Sequence, residues 1–344
     1  MHCANIRVSR RVFLGAAVGA AALAPAIRAA EARAAFTMPH AQATFFDWKP
    51  ISEKSRVAIG QGGNALVLVS GSEALLVDCK TSPYGPILKR ELKLGTAKLA
   101  AVVNTHHHAD HTGGNYVFVE TVPVIAQELA VSRVLTQTDR YIATVKQAVM
   151  ELAGDKEKAA MVADDFKALH ARFAELNPKD FAPTENFKTE KQLNIGGLEV
   201  RLTHVGPGHT DNDLFVHIPE LNIIHAGDLL FSKCHPYIDR DGGADTAAWR
   251  RSLAAIIALC DEKTIVIPGH GDITDITGLR TQVEYFDQVG AKVQTAIKNG
   301  MTRKEIVTKM KPVGFDGYGG SQNLPLTLGA IYDEAAAASA SPKR

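Results

Sequence analysis

The chain has 344 residues, of which 46% are hydrophobic and 22% charged, with a formal net charge of +1. This is the composition of an ordinary globular protein with room for one large domain or two small ones. A near-zero charge leaves no footprint for nucleic acid or an anionic membrane surface, and beyond the N-terminal segment no apolar run reaches transmembrane length.

That segment reads as an export signal. Ser9-Arg10-Arg11-Val12-Phe13-Leu14 is a twin-arginine motif, and a small apolar run from Gly15 to Pro25 follows it. Ala32-Arg33-Ala34 offers a cleavage site, with Ala30-Glu31-Ala32 competing. The expected organisation is a signal peptide over residues 1–34 and a single periplasmic domain over residues 35–340. Losing residues 1–34 removes five Arg and one Glu and turns the net charge to −3. Of four cysteines, Cys3 leaves with the signal. Cys79, Cys234 and Cys260 lack CxxC spacing, which argues against a zinc ribbon or disulfide framework and leaves one disulfide among the three open.

Residues 35–60 read as an irregular lead-in with an edge strand. Residues 64–70 and 74–78 form a β-hairpin around Gly71-Ser72-Glu73. Asp78, a buried carboxylate at its end, is placed to orient a neighbouring loop rather than to bind metal. A helix from about Pro86 to Leu94, with proline in a tolerated first-turn position, leads to a buried strand over residues 99–103. This strand delivers Asn104-Thr105-His106-His107-His108-Ala109-Asp110-His111-Thr112-Gly113-Gly114. Imidazole nitrogen and carboxylate oxygen are the donors that borderline metals such as zinc prefer. His106 and His108, two apart on extended backbone, share a face. Asp110 and His111 fall where the chain turns and can aim at a second point, so the stretch implies a two-metal site.

A short strand over residues 122–126 precedes a helical region from Gln127 to about residue 177, broken at Gly154-Asp155. It serves either as a lid over a pocket or as a packed layer. Strands over residues 191–195 and 198–203 flank a Gly196-Gly197 turn. Gly206-Pro207-Gly208 then makes a tight loop that presents His209. A hairpin of residues 213–218 and 221–226 ends in Gly227-Asp228, and a strand over residues 264–267 ends in Pro268-Gly269-His270-Gly271. C-terminal helices follow: one from about Leu279 to Lys298, one near residues 302–311 with a Thr302-x-x-Glu305 capping box, and a last one from about Pro325. Between them, Phe315 and Tyr318 either line a pocket mouth or pack the tail.

His106-x-His108-x-Asp110-His111, Gly208-His209-Thr210, Gly227-Asp228 and Pro268-Gly269-His270-Gly271 all follow predicted strands, as does Asp78. In this ordered set, spanning residues 60–275, the chain resembles the metallo-β-lactamase fold superfamily. The resemblance implies an α+β fold, a four-layer αβ/βα sandwich of two mixed β-sheets flanked by helices. It implies a first metal on His106, His108 and His209 and a second on Asp110, His111 and His270, with Asp228 bridging. Two Zn2+ per chain are the expectation, with Fe or Mn as alternatives. A metal pair shares a water and lowers its pKa. The resulting bridging hydroxide attacks a carbonyl or phosphoryl centre, a metal stabilises the oxyanion, and Asp110 is the catalytic residue that holds and orients the hydroxide. No G-x-S-x-G nucleophile elbow is present.

The enzymes that named the superfamily carry Cys or a non-ligating residue where this chain has Asp228. A carboxylate there is the pattern of glyoxalase II-like thioesterases, lactonases and phosphodiesterases. The expected function is therefore an exported metal-dependent hydrolase of a small ester, thioester, lactone or β-lactam, with Lys233 a candidate contact for a substrate carboxylate. The expected partner is that small molecule, with no nucleic acid and no membrane after signal cleavage. Two alternatives are an iron-dependent oxidoreductase of sulfur compounds on the same fold and a non-catalytic periplasmic metal-binding accessory protein. Retention of all seven donors favours the hydrolase. His107, His204, His225 and His235 have no motif slot and read as structural or supporting.

Overall fold

Successive side chains of a strand face opposite ways, and the central strands of this chain are apolar on both faces. In β3 (Ala65–Ser70), Leu66 and Leu68 face one layer while Ala65 and Val67 face another, all buried. β4 (Glu73–Val77) and β5 (Lys98–Val103) repeat the pattern, with Leu75, Val77, Ala101 and Val103 on one side and Leu76 and Val102 on the other. A sheet of such strands must be covered on both faces. The computed structural model, which describes residues 44–137, 141, 155–173, 175–311 and 314–340, shows how.

The first sheet has the order β1 (Asp47–Ser52), β2 (Ser55–Ile59), β3, β4, β5, β6 (Val124–Gln127), β7 (Glu185–Phe187). It is antiparallel from β1 to β4 and parallel from β4 onward. The second has the order β12 (Ile265–Gly271), β11 (Ile223–Ser232), β10 (Phe215–Ile218), β9 (Leu198–Thr203), β8 (Glu190–Ile195). Only β11 and β12 pair in parallel there. Their inner faces meet in one apolar layer, where Leu66, Leu75 and Val103 pack with Val200, Val216 and Ile267.

Helices close both outer faces. α1 (Gly85–Glu91) and α4 (Lys156–Phe173) place Ile87, Leu88 and Val162 against the first sheet. α6 (Thr246–Leu259), α7 (Ile276–Lys298), α8 (Arg303–Lys309) and α9 (Leu324–Ala340) cover the second through Trp249, Leu253, Phe286, Val289, Ile306 and Leu328. Three shorter elements, α2 (Ala109–Thr112), α3 (Glu128–Leu135) and α5 (Pro178–Phe181), lie between strands of the first half. The result is the αβ/βα sandwich that the motifs imply.

Several local expectations change. The lead-in over residues 35–60 contains β2, which pairs on both sides and buries Val57 and Ala58, as well as the edge strand β1. The first helix ends at Glu91, three residues short of Leu94, because Leu92 already caps it. β11 does not stop at Gly227-Asp228. Residues 227–231 lie opposite residues 268–270, so the surplus is taken up as a bulge and the strand resumes to Ser232. α6, capped by Asp245 accepting from the Ala248 amide, has no counterpart in the sequence reading, and neither has β7. Cys79 and Cys260 are free thiols, so no disulfide joins any two of Cys79, Cys234 and Cys260. Phe315 is buried against Tyr285, which settles it as packing for the tail. The twin-arginine segment, its cleavage sites and Gly154 lie outside the described residues.

A lysine is buried beside the apolar core. Lys80 is fully buried with φ +67, and its Nζ donates to the Ala58 and Gly63 carbonyls at 2.7 and 2.6 Å. Burial pulls the ammonium down to about 7, against Asp78 and Asp110, which favour its charge. The lysine thereby ties the turn between β2 and β3 to the end of β4. Lys80→Met strands two carbonyl acceptors and is expected to lower the unfolding free energy by about 1–3 kcal/mol in urea titrations. An unchanged midpoint would mean that the turn holds without it.

Candidate metal centre

β5 ends at Val103 and α2 starts at Ala109, so His106, His107 and His108 occupy the bend between them. Asp110 and His111 ride on the single turn of α2. His209 comes from the connection between β9 and β10, Asp228 from the bulge of β11, and His270 from β12. One donor atom each from His106, His108, His209 and Asp228 lies within 4.8 Å of the others. Asp110, His111 and His270 form a second group within the same limit.

Asp228 touches both groups. Its Oδ1 is 3.2 Å from His111 Nε2, while Oδ2 is 3.3 Å from His209 Nε2 and 3.5 Å from His270 Nε2. His270 Nε2 also approaches Asp110 Oδ2 at 3.1 Å. Asp110 is the most open of the seven, with 14% of its side chain exposed. All seven residues singled out as donors thus converge. Lys233 joins neither group. It is exposed at the end of β11, where it lines a cavity of about 400 Å³ with Phe231, Thr274, Tyr285 and Tyr318. Phe231 stacks on His270 with ring centroids 5.5 Å apart, so this cavity adjoins the cluster.

Four of the five rings are held from behind. His111 Nδ1 meets Asp78 Oδ2 at 2.7 Å, His108 Nε2 meets Asp239 Oδ2 at 2.8 Å, His209 Nδ1 meets the Tyr237 carbonyl at 2.6 Å and His106 Nδ1 meets Thr105 Oγ1 at 3.2 Å. Each of these contacts leaves the other ring nitrogen turned into the cluster, the arrangement that fixes imidazole tautomer and direction for metal ligation. Asp78, fully buried with φ +64, also accepts the Thr105 amide and hydroxyl at 2.8 and 2.9 Å. Backbone approaches just as closely. A Cβ on Gly63 would lie 2.1 Å from His111 Cε1, and one on Gly269 would lie 1.9 Å from Asp228 Oδ1.

The electrostatics follow from crowding charges away from water. Burial, and then His111 beside it, push the His106 imidazole well below its usual range. Burial alone would raise the Asp228 carboxyl, but His270, His111 and His106 hold it far below. Burial likewise opposes charge on His111, yet Asp228, Asp78 and Asp110 raise it. His106 Nε2 is buried with no hydrogen bond among the described residues and lies 3.8 Å from Asp228 Oδ2. An orphaned donor nitrogen within a set of imidazoles and carboxylates fits a divalent cation.

The sequence reading overlooked Asp239, Tyr237 and Asn212. Asn212 accepts the His107 amide at 3.0 Å and contacts His107 Nδ1 at 2.8 Å. None of the three sits at a recognisable spacing, and Asp239 lies 131 positions from its partner His108. His225, without a motif slot, joins the turn before β3 to the bulge: its Nε2 donates to the Asn64 carbonyl at 2.9 Å and its Nδ1 accepts the Gly227 amide at 3.2 Å. Asp239→Asn keeps the shape and removes the charge behind His108. It is expected to weaken one bound metal by roughly 10- to 100-fold in chelator competition, with the far-ultraviolet circular dichroism unchanged. Equal affinities would show that Asp239 does not act on the cluster.

Residues 58–270 match the family described as the metallo-beta-lactamase superfamily. A probable metallo-hydrolase of Methanocaldococcus jannaschii is 28% identical over 223 residues, 63% of this chain and 91% of that protein. An uncharacterized protein of Mycobacterium leprae is 27% identical over 208 residues, 60% of this chain and 84% of its own. The crystal structure of the DIM-1 metallo-beta-lactamase aligns with a TM-score of 0.50 at 20% identity, over 70% of this chain and 95% of that one. With its donors gathered at one edge of the sandwich and more than half its length matched, the chain belongs to the metallo-beta-lactamase superfamily.

Proposed function

We propose that this protein is a hydrolase of small esters, thioesters, lactones or β-lactams that works with two bound divalent cations, zinc first among them. The observation that carries the reading is Asp228, whose two oxygens face Nε2 atoms of both donor groups at 3.2–3.5 Å. His106, His108 and His209 would hold one cation, Asp110, His111 and His270 the other, and Asp228 both. When bound, such a pair supplies Lewis acidity and a water acidified toward neutral pH.

The chain's own groups then divide the remaining work. Asp110, the most open carboxylate of the cluster, accepts a hydrogen bond from the attacking water and fixes its direction. Asp78 and Asp239 keep His111 and His108 aimed inward through their opposite ring nitrogens. Gly63 and Gly269 leave space that any side chain would fill. The twin-arginine motif at Arg10-Arg11 supports a further proposal, export of the folded protein to the periplasm. Cell fractionation tests it, and retention of the Arg10→Lys/Arg11→Lys variant inside the cell is the expected result. Equal export of that variant would count against it.

Purified full-length protein is expected to carry about two transition-metal ions per chain. It is expected to cleave at least one of a panel of chromogenic lactone, thioester, β-lactam and phosphodiester substrates. Dialysis against a chelator should abolish the activity and added zinc should restore it. Fewer than one metal per chain, or cleavage indifferent to chelation, would overturn the reading. Asp110→Asn is expected to lower kcat by roughly 10²- to 10⁴-fold. Full activity in that variant with metal still bound would favour an accessory metal-binding role instead.

A further inference from the structure

The superfamily match ends at residue 270, but the chain continues through α7, α8 and α9. The last of these bears on the cluster through the loop that joins β11 to α6, residues 233–245. This loop supplies the Tyr237 carbonyl, which meets His209 Nδ1 at 2.6 Å, and the Asp239 carboxylate, which meets His108 Nε2 at 2.8 Å. The other nitrogens of those two rings, His209 Nε2 and His108 Nδ1, face each other at 2.9 Å within the first donor group. Two of its three imidazoles are therefore aimed by a loop that forms no strand or helix of its own.

The C-terminal segment grips that loop along its length. The Gly319 amide donates to the Lys233 carbonyl and the Gly319 carbonyl accepts the His235 amide, both at 2.9 Å. Asn323 Nδ2 donates to the His235 carbonyl at 3.1 Å, and Thr327 Oγ1 donates to the Pro236 carbonyl. Further along α9, the Glu334 carboxylate accepts Arg240 Nη1 at 2.9 Å together with the Thr246 amide and hydroxyl. Thr327 and Glu334, seven apart, share one face of α9, and Asn323 stands immediately before its first residue. Asn323 and Thr327 are buried. Inside the loop, Arg240 Nη1 reaches the Ala244 carbonyl at 3.2 Å, and the Gly242 and Ala244 amides donate to Asp239 Oδ1 and its carbonyl at 3.0 and 2.9 Å. The contact made at Arg240 thus reaches Asp239 through Ala244, while Thr246 fixes the far end of the loop where α6 begins. Leu328 and Ile331 already anchor α9 in the core, so the polar face adds direction rather than simple adhesion.

We propose that Asn323, Thr327 and Glu334 are positioning residues for the first donor group, acting through the loop of residues 233–245 to keep His108 and His209 on target. The proposal rests on the reading of the cluster as a two-metal centre. In the test, zinc is withdrawn by a chromophoric chelator from full-length wild type, Thr327→Val, Thr327→Ser and the Asn323→Ala/Glu334→Gln double variant. Arg303→Gln is the control. It cuts the Arg303–Asp333 pair at 2.8 Å, which ties α9 to α8 without touching the loop. Thermal unfolding of the metal-free proteins is followed in parallel.

Wild type should release two ions. Thr327→Val and the double variant should release one of them roughly 10-fold more readily and keep the other. Thr327→Ser should restore the wild-type profile, and Arg303→Gln should lower thermal stability while leaving both affinities in place. Two unchanged affinities in Thr327→Val and the double variant would overturn the proposal, as would parallel loss of both ions in those variants and in Arg303→Gln. A wild type that takes up no zinc would instead defeat the two-metal reading, and this proposal with it.

Discussion

Much of this molecule exists to keep one carboxylate ionised where a carboxylate is least at home. Asp228 is 2% exposed and faces three imidazole nitrogens within 3.5 Å. A buried charge of this kind is tolerated only when partners neutralise it in good geometry. The β11 bulge turns Asp228 inward, Gly269 gives way to its oxygen, and the donor histidines arrive from the bend after β5, from α2, from the connection before β10 and from β12. Removing any one of these supports leaves charge without a partner rather than merely removing a contact.

The supports fall into two assemblies. The second donor group leans on the turn between β2 and β3: the Gly63 amide donates to the Asp110 carbonyl at 3.0 Å, and Lys80 ties that turn to the end of β4. Asn64 completes it, with its amide on the Gly269 carbonyl at 2.7 Å and its Nδ2 on the Pro268 and Gly271 carbonyls. The first donor group leans on the loop of residues 233–245 and, behind it, on α9. The two groups therefore rest on different parts of the chain and meet at Asp228, at Phe231, whose ring packs on both His209 and His270, and along the short run from His106 to His111.

What the sequence made legible follows from how local each signal is. The hairpin of β3 and β4, the strand β5 and the Thr302/Glu305 capping box on α8 are set by neighbours a few residues apart, and periodicity or spacing suffices to find them. The seven donors stood out because residue types that ligate metals recur after four predicted strands in one order, several of them inside glycine-rich turns, which core or surface chemistry does not explain. Asp239 escaped because its partner is distant and its loop, Tyr237 to Gly243, carries no spacing rule. α6 was legible but passed over: behind the Asp245 cap its Ala, Leu and Arg residues are strong helix formers, and Trp249, Leu253 and Ile256 buried against the sheet add the packing that stabilises it. The end of β11 was misjudged because glycine commonly signals a turn, whereas Gly227, with φ +53 against Thr105, serves a bulge.

The parallel pairing of β11 with β12 has one more consequence. Parallel strands need a crossover, here the one that contains α6, so His270 reaches Asp228 only after that entire unit has docked. In an unfolded chain only the stretch from His106 to His111 keeps donors near one another. A cation therefore gains its full set of ligands from the finished sandwich alone, and its binding free energy is in large part folding free energy. Metal loading and folding are thereby linked: a cation that finds its ligands only in the assembled sandwich would stabilise that state by mass action over every incompletely assembled one.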